Sequence, residues 1–262
     1  MTAAEPAPLP LPPPAPVAPV PAVPAAWQRE SWWALLAYLA GGFGLFLVVS
    51  LLIQLAFRQQ FNILTSAALY GANFLCFAGA AAVLGVRRRH LSWAEFGLRP
   101  FHLAWLVLAL ALALALAVLP ARGLAALLVE RLAGANFSDM QLRMDLIAPS
   151  GGSLALNFIV TFVGAGLMAP VAEELFFRGL IHRWFSARFG FWPAIILSSA
   201  IFAAGHADSL GVVASSFVLG LVLAGVYDRS HSLWLSIAVH ATNNCLAVIL
   251  LYAALAVPGL VR

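Results

Sequence analysis

Charged side chains are scarce in this chain. Only 9% of its 262 residues are Asp, Glu, Lys or Arg, while 63% are hydrophobic. Ordinary soluble domains carry about 25% charged and 45–50% apolar residues, so the composition does not fit a water-soluble globule. Cysteine is nearly absent. Cys76 and Cys245 each sit in an apolar run, with no spacing that suggests a metal knuckle or a disulfide scaffold. No HExxH motif occurs, and no internal repeat of the kind many transporters carry is evident. The N-terminus lacks the basic start and unbroken apolar core of a signal peptide. Residues 1–26 instead hold ten prolines among alanines and valines, a composition that stays extended or disordered. The net charge of +4 says little about nucleic acid, because basic loops already serve membrane topology.

What remains is a series of apolar runs, each near the length of about 20 residues that crosses a bilayer. They fall at 32–57, 62–86, 102–120, from 153 through Pro170, 192–206, 210–227 and 232–252. Between 121 and 152 the pattern is mixed. LAALLVERLAG reads as an amphipathic surface helix and FSDMQLRMDLIAPSGG as a loop, with room for a short eighth segment. The expected fold is therefore all-α, a polytopic membrane helical bundle of seven or eight transmembrane segments. One membrane domain spans 31–262 behind a disordered Pro/Ala-rich tail, 1–30. The run Arg87, Arg88 and Arg89 belongs on the cytoplasmic side. That puts the tail, Arg178, Arg183, Arg188 and Arg229 inside, and 121–152 outside.

Against this background a few polar residues stand out, because ionisable groups within membrane helices are costly and usually functional. Glu173 and Glu174 precede Arg178 in PVAEELFFRGL. Glu174 and Arg178 are four apart and share a helix face, so they can pair. Glu173 is rotated about 100° from that pair and keeps no local cation. His206 follows Phe202 by four positions, and His240 precedes Asn244 by four on one face. A hairpin closed near residues 189–190 brings Glu173 and His206 to similar depth. His240 fits less well, with a mismatch of roughly 9 Å at ~1.5 Å per residue. Three readings stay open on these residues alone: a catalytic site, a proton or transport path, and polar packing between helices. His90, His102, His182 and His231 lie by loops or helix ends and read as interfacial. Asp208 can cap the following helix or touch the site, and the cap is the favoured reading.

The ordered trio EELFFR (Glu173–Arg178), FAAGH (Phe202–His206) and HATNN (His240–Asn244) resembles the CPBP family. These are the CAAX proteases and bacteriocin-processing or immunity proteins, also called Abi or Rce1-like. The resemblance covers about residues 153–252, the motif-bearing core. It implies an intramembrane endopeptidase that hydrolyses a peptide bond of a membrane-associated protein or peptide. By this resemblance Glu173 and His206 activate a water, His240 and Asn244 stabilise the oxyanion, and Glu174 and Arg178 shape the site. It also implies a cavity that opens to the cytoplasmic side. Elementary chemistry agrees with those roles, since amide hydrolysis needs a base for the attacking water and donors for the developing oxyanion. Pro170 loosens the helix just before Glu173.

The residues favour a metal-free, glutamate-dependent mechanism with no cofactor. A zinc ion held by Glu173, His206 and His240 is the alternative. The competing non-enzyme reading is a bacteriocin-immunity or membrane scaffold protein. The expected partners are the lipid bilayer and the substrate, and the expected location is the plasma membrane of a bacterium.

Overall fold

The computed structural model describes residue 27 and residues 30–60, 62–99, 104–133, 147–149 and 151–257. Most of the Pro-rich tail and the loop readings between 134 and 146 lie outside these residues, as does His102. The described chain is helical throughout its long elements: α1 (Trp32–Ala56), α2 (Ile63–Arg87), the short α3 (Trp93–Phe96), α4 (Ala104–Ala133), α5 (Leu154–Phe189), α6 (Phe191–Ala204), α7 (Leu210–Ser230) and α8 (Leu233–Leu255). Among the described residues six helices are long and apolar enough to cross a membrane. The shorter α6 makes a seventh apolar helix. The chain is a multi-pass membrane protein with a helical-bundle fold. Its outer faces carry Leu47, Leu51, Leu55, Leu108, Leu116 and Leu250, all exposed and suited to lipid rather than water.

Local chemistry sets the helix ends. Asn62 caps α2, its Oδ1 accepting from Leu64 N at 3.0 Å and Thr65 N at 3.1 Å. Ser92 and Glu95 form a reciprocal capping box on α3, which Gly97 ends at φ 119°. Ser153 and Ser209 cap α5 and α7 in the same way. Gly190, at φ 75°, turns α5 into α6. Asp208 therefore does not cap α7. Ser209 holds that position and accepts from Val212 N at 3.1 Å.

One expected break is missing. The third crossing does not stop at Pro120, and LAALLVERLAG is not a separate surface helix. α4 runs unbroken through Pro120 to Ala133. Membrane helices tolerate proline where neighbouring helices satisfy the freed backbone. Just beyond it, Arg122 binds sideways into the bundle, donating to Ser215 Oγ at 3.0 Å and to Asn243 Oδ1.

Among the described residues four π-helical stretches interrupt the long helices: Ala40–Gly44 in α1, Ala81–Arg87 in α2, and Phe162–Met168 and Phe177–His182 in α5. Such bulges are rare and concentrate at functional sites. Each of them carries a glycine at a close crossing. A Cβ at Gly42 would run into the Phe176 ring, and one at Gly164 into the Tyr70 ring. Phe43, Phe77, Phe176 and Phe177 then stack at centroid distances of 4.9–5.9 Å to form the core between α1, α2 and α5. From Ala172 to His182 every residue of α5 is buried, so the other helices surround that stretch on all sides.

At the arginine-rich end, α5 and α6 overhang the turn between α7 and α8. Arg183 Nη1 donates to Glu95 O at 3.1 Å, and Leu233 N donates to Gly97 O at 2.9 Å. Arg183 and Leu233 are therefore level, and the Gly190 hairpin extends beyond both. At ~1.5 Å per residue the overhang from 183 to 189 is about 9 Å. That removes the depth mismatch expected for His240. Trp27 and Glu30 dock at this same end, with the Arg89 guanidinium 3.6 Å from the Trp27 ring centroid and 2.8 Å from Glu30.

Candidate active site

Glu174 anchors the site. It is fully buried, and its Oε1 accepts from Arg178 Nη1 at 2.8 Å and from His240 Nδ1 at 2.8 Å. Its Oε2 accepts from the Ser236 hydroxyl. Arg178 adds a bond to Gly220 O at 3.3 Å and lies 4.7 Å from the Phe202 ring centroid. These contacts tie α5, α6, α7 and α8 together around one neutralised charge. The i,i+4 pairing is the one that the helix spacing predicts.

Glu173 points elsewhere. It lines a cavity of about 520 Å³. Its Oε1 accepts from Asn73 Nδ2 at 3.4 Å, and its Oε2 lies 3.8 Å from His240 Nε2. The apolar wall is built from Phe43, Phe46, Leu47 and Leu69, and polar groups come from Gln54, Tyr70 and Asn73. His206 and Asn244 line the same cavity. An amphipathic hollow with a few converging polar groups is the usual form of a substrate site.

The histidines differ in what holds them. His206 lies just past the end of α6, and its Nδ1 is 2.9 Å from Phe202 O. A carbonyl oxygen only accepts, so Nδ1 carries the hydrogen and Nε2 is the chemically variable nitrogen. His240 is buried in α8 and bridges the two glutamates. Its Nδ1 donates to Glu174, which leaves Nε2 toward Glu173. The two groups face each other across 3.8 Å. His240 does not line the cavity itself; it stands behind Glu173. Asn244 reaches the cavity wall while its Nδ2 donates to Ala165 O at 3.0 Å.

Residues 155–246, which hold all three motifs, match the family model described as Type II CAAX prenyl endopeptidase Rce1-like. That similarity covers the motif-bearing core. Two curated proteins are similar to part of the chain. An Escherichia coli protein named "Uncharacterized 24.3 kDa protein" is 28% identical over 97 residues, 36% of this chain and 45% of its own length. A Bacillus subtilis (strain 168) protein named "Putative membrane peptidase YdiL" is 27% identical over 117 residues, 45% of this chain and 44% of its own. The chain thus spans under half the length of these curated relatives. No solved structure matches it significantly.

Within this core, all six residues singled out from the motifs gather in one region. Four line or flank the cavity, and Glu174 and Arg178 brace it from behind. Among the described residues no group of three His, Cys, Asp or Glu side chains is arranged to hold a metal ion. His182, read as interfacial, is instead fully buried. Its Nδ1 lies 3.0 Å from Ser198 Oγ and its Nε2 3.0 Å from Asp228 Oδ1. It is the last residue of the stretch of α5 that is enclosed on all sides. Asp208 lines the cavity rather than capping a helix. Two residues carried no motif signal. Asn73 comes from α2 and touches Glu173, while Ser236 comes from α8 and touches Glu174. A polar residue inside an apolar run was the available hint for each.

Proposed function

We propose that this protein is an intramembrane endopeptidase, CAAX-protease-like in its chemistry, that cuts a membrane-associated protein or peptide with an activated water. The observation that carries the reading is the division of labour between adjacent carboxylates. Glu174 is neutralised by Arg178, while Glu173 faces a 520 Å³ cavity shared with His206 and Asn244. A structural ion pair needs only the first of these.

In this reading the water sits between Glu173 and His206. Glu173 takes its proton as the oxygen attacks the scissile carbonyl, and His206 Nε2 orients the water. The 3.8 Å gap to His240 Nε2 is wider than a hydrogen bond, but apo active sites are often loose and tighten with substrate. The Glu173–His240 pair then holds the proton and returns it to the leaving amine. The developing oxyanion needs donors fixed in advance, and the Asn244 amide is the candidate at the cavity wall. Glu174, itself fixed by Arg178 and Ser236, keeps the His240 ring from rotating. Substrate side chains rest on the apolar wall of Phe43, Phe46 and Leu47. The mechanism uses no metal. The two relatives come from bacteria, which supports a bacterial plasma membrane as the location.

The test is comparative N-terminal proteomics of membranes from cells making the wild type or Glu173→Gln. The reading expects new protein termini with the wild type that vanish with the variant at equal abundance. Identical termini in both would reject it, and protection or binding that survives Glu173→Gln would favour the immunity or scaffold alternative.

A further inference from the structure

The cavity belongs to one end of the bundle. Its lining runs from the middle of the helices toward Gln54 near the end of α1, Leu69 near the start of α2, Ile147, and the turn at Gly205–Asp208. In that turn Ala204, Gly205, Ala207 and Asp208 are exposed. This is the end that carries the α1–α2 turn and the start of α5.

The opposite end holds the arginines. Arg87 to Arg89 follow α2, Arg99 follows α3, Arg183 and Arg188 close α5, and Arg229 closes α7. At the cavity end the described basic residues in the turns and helix termini are Arg58 and Arg131, accompanied by Glu130 and Asp208. Short loops rich in arginine stay in the cytoplasm. Toward the arginine end the cavity is shut. Phe77 and Phe177 line it there, with Phe176 stacked against both. Below them come the Glu174–Arg178 pair and then the buried His182 with Ser198 and Asp228. Trp27 and Phe96, both fully buried, complete the packing there. With α5 enclosed on all sides from Ala172 to His182, no path for a peptide runs along it from that end.

We infer that substrate reaches Glu173 from the end opposite the arginines, so the peptide cut by this protein is presented on the non-cytoplasmic face of the membrane. The inference rests on the peptidase reading above. It departs from the cytoplasmic opening that the family resemblance implies. It also narrows the substrate class to an exported or outward-facing segment with an apolar side chain for the Phe43, Phe46 and Leu47 wall. A prenylated cytoplasmic C-terminus is excluded as the natural substrate.

Cysteine labelling of the full chain in intact cells tests it. In a Cys76→Ala, Cys245→Ala background, single cysteines are placed by Ala207→Cys at the cavity rim, Gln60→Cys in the α1–α2 turn and Ala94→Cys at the arginine end. All three positions are exposed. A membrane-impermeant maleimide should modify Ala207→Cys and Gln60→Cys on intact cells, and Ala94→Cys only after permeabilisation. If Ala207→Cys does not accumulate, Gln60→Cys carries the same reading. Modification of Ala94→Cys on intact cells, with the cavity-end cysteines reacting only after permeabilisation, overturns the inference. The labelling needs no substrate, so its failure is distinct from a failure of the Glu173→Gln comparison.

Discussion

Arg178→Met separates the two glutamates most sharply. The wild-type guanidinium is buried, donates to Glu174 at 2.8 Å and to Gly220 O at 3.3 Å, and packs on Phe202. Methionine keeps much of the volume but leaves Glu174 with only the Ser236 hydroxyl and the His240 N–H. Removing one partner of a buried ion pair costs about 3–5 kcal/mol, because the remaining charge is stranded. At ~2–4 °C per kcal/mol for a chain of this size, Tm should fall by on the order of 10 °C. Glu173→Gln is the control. It keeps an oxygen to accept from Asn73 and strands no cation, so it should cost under about 1 kcal/mol. Melting of the purified, detergent-solubilised variants by fluorescence-detected size exclusion reads both values. An Arg178→Met protein that melts within about 2 °C of wild type would refute the assignment of Glu174 as the structural carboxylate. So would a Glu173→Gln protein that loses as much as Arg178→Met.

Asn73→Ala removes the 3.4 Å contact to Glu173 Oε1. It should reduce cleavage by about fivefold, the equivalent of ~1 kcal/mol, with little change in melting. Gly164→Ala drives a methyl group into the Tyr70 ring where α5 meets α2. Overpacking there should cost about 1–3 kcal/mol, read as a lower Tm, and an unchanged Tm would mean that the crossing is looser than described. On α3, the Ser92 backbone N–H and hydroxyl hold the Glu95 carboxyl below the usual carboxylate range. The capping box should therefore stay intact above the ordinary Glu value of about 4.3 and weaken only as pH falls through the depressed value. Hydrogen exchange at residues 92–97, corrected for its intrinsic pH dependence, should be flat at neutral pH and quicken only in acid.

Interactions along one helix were the legible part of this molecule. The Glu174–Arg178 pair follows from a spacing of four, and the Gly190 hairpin follows from a turn midway between Glu173 and His206. The membrane-spanning character followed from apolar run lengths. Interactions between helices were not legible, because no local rule sets them. Asn73 meets Glu173 across a hundred residues of chain. His182 looked interfacial because it lies by a helix end in the sequence reading, yet α6 and α7 close over it. Pro120 looked like a stop because proline breaks soluble helices. Within a bundle, Arg122 finds Ser215 and Asn243 on neighbouring helices, and α4 continues. The π stretches were invisible for the same reason. The glycines in two of them are explained by the Phe176 and Tyr70 rings on other parts of the fold.

In the proposed mechanism Glu173 takes the proton of the attacking water. A peptide that spans a cleavage site found by the proteomic comparison, given to purified protein in lipid vesicles, tests this role. Loss of a positioned general base should lower kcat/KM for Glu173→Gln by about 10²–10⁴-fold at unchanged Tm. A Glu173→Gln enzyme that cleaves this peptide within a few-fold of wild type would contradict the claim.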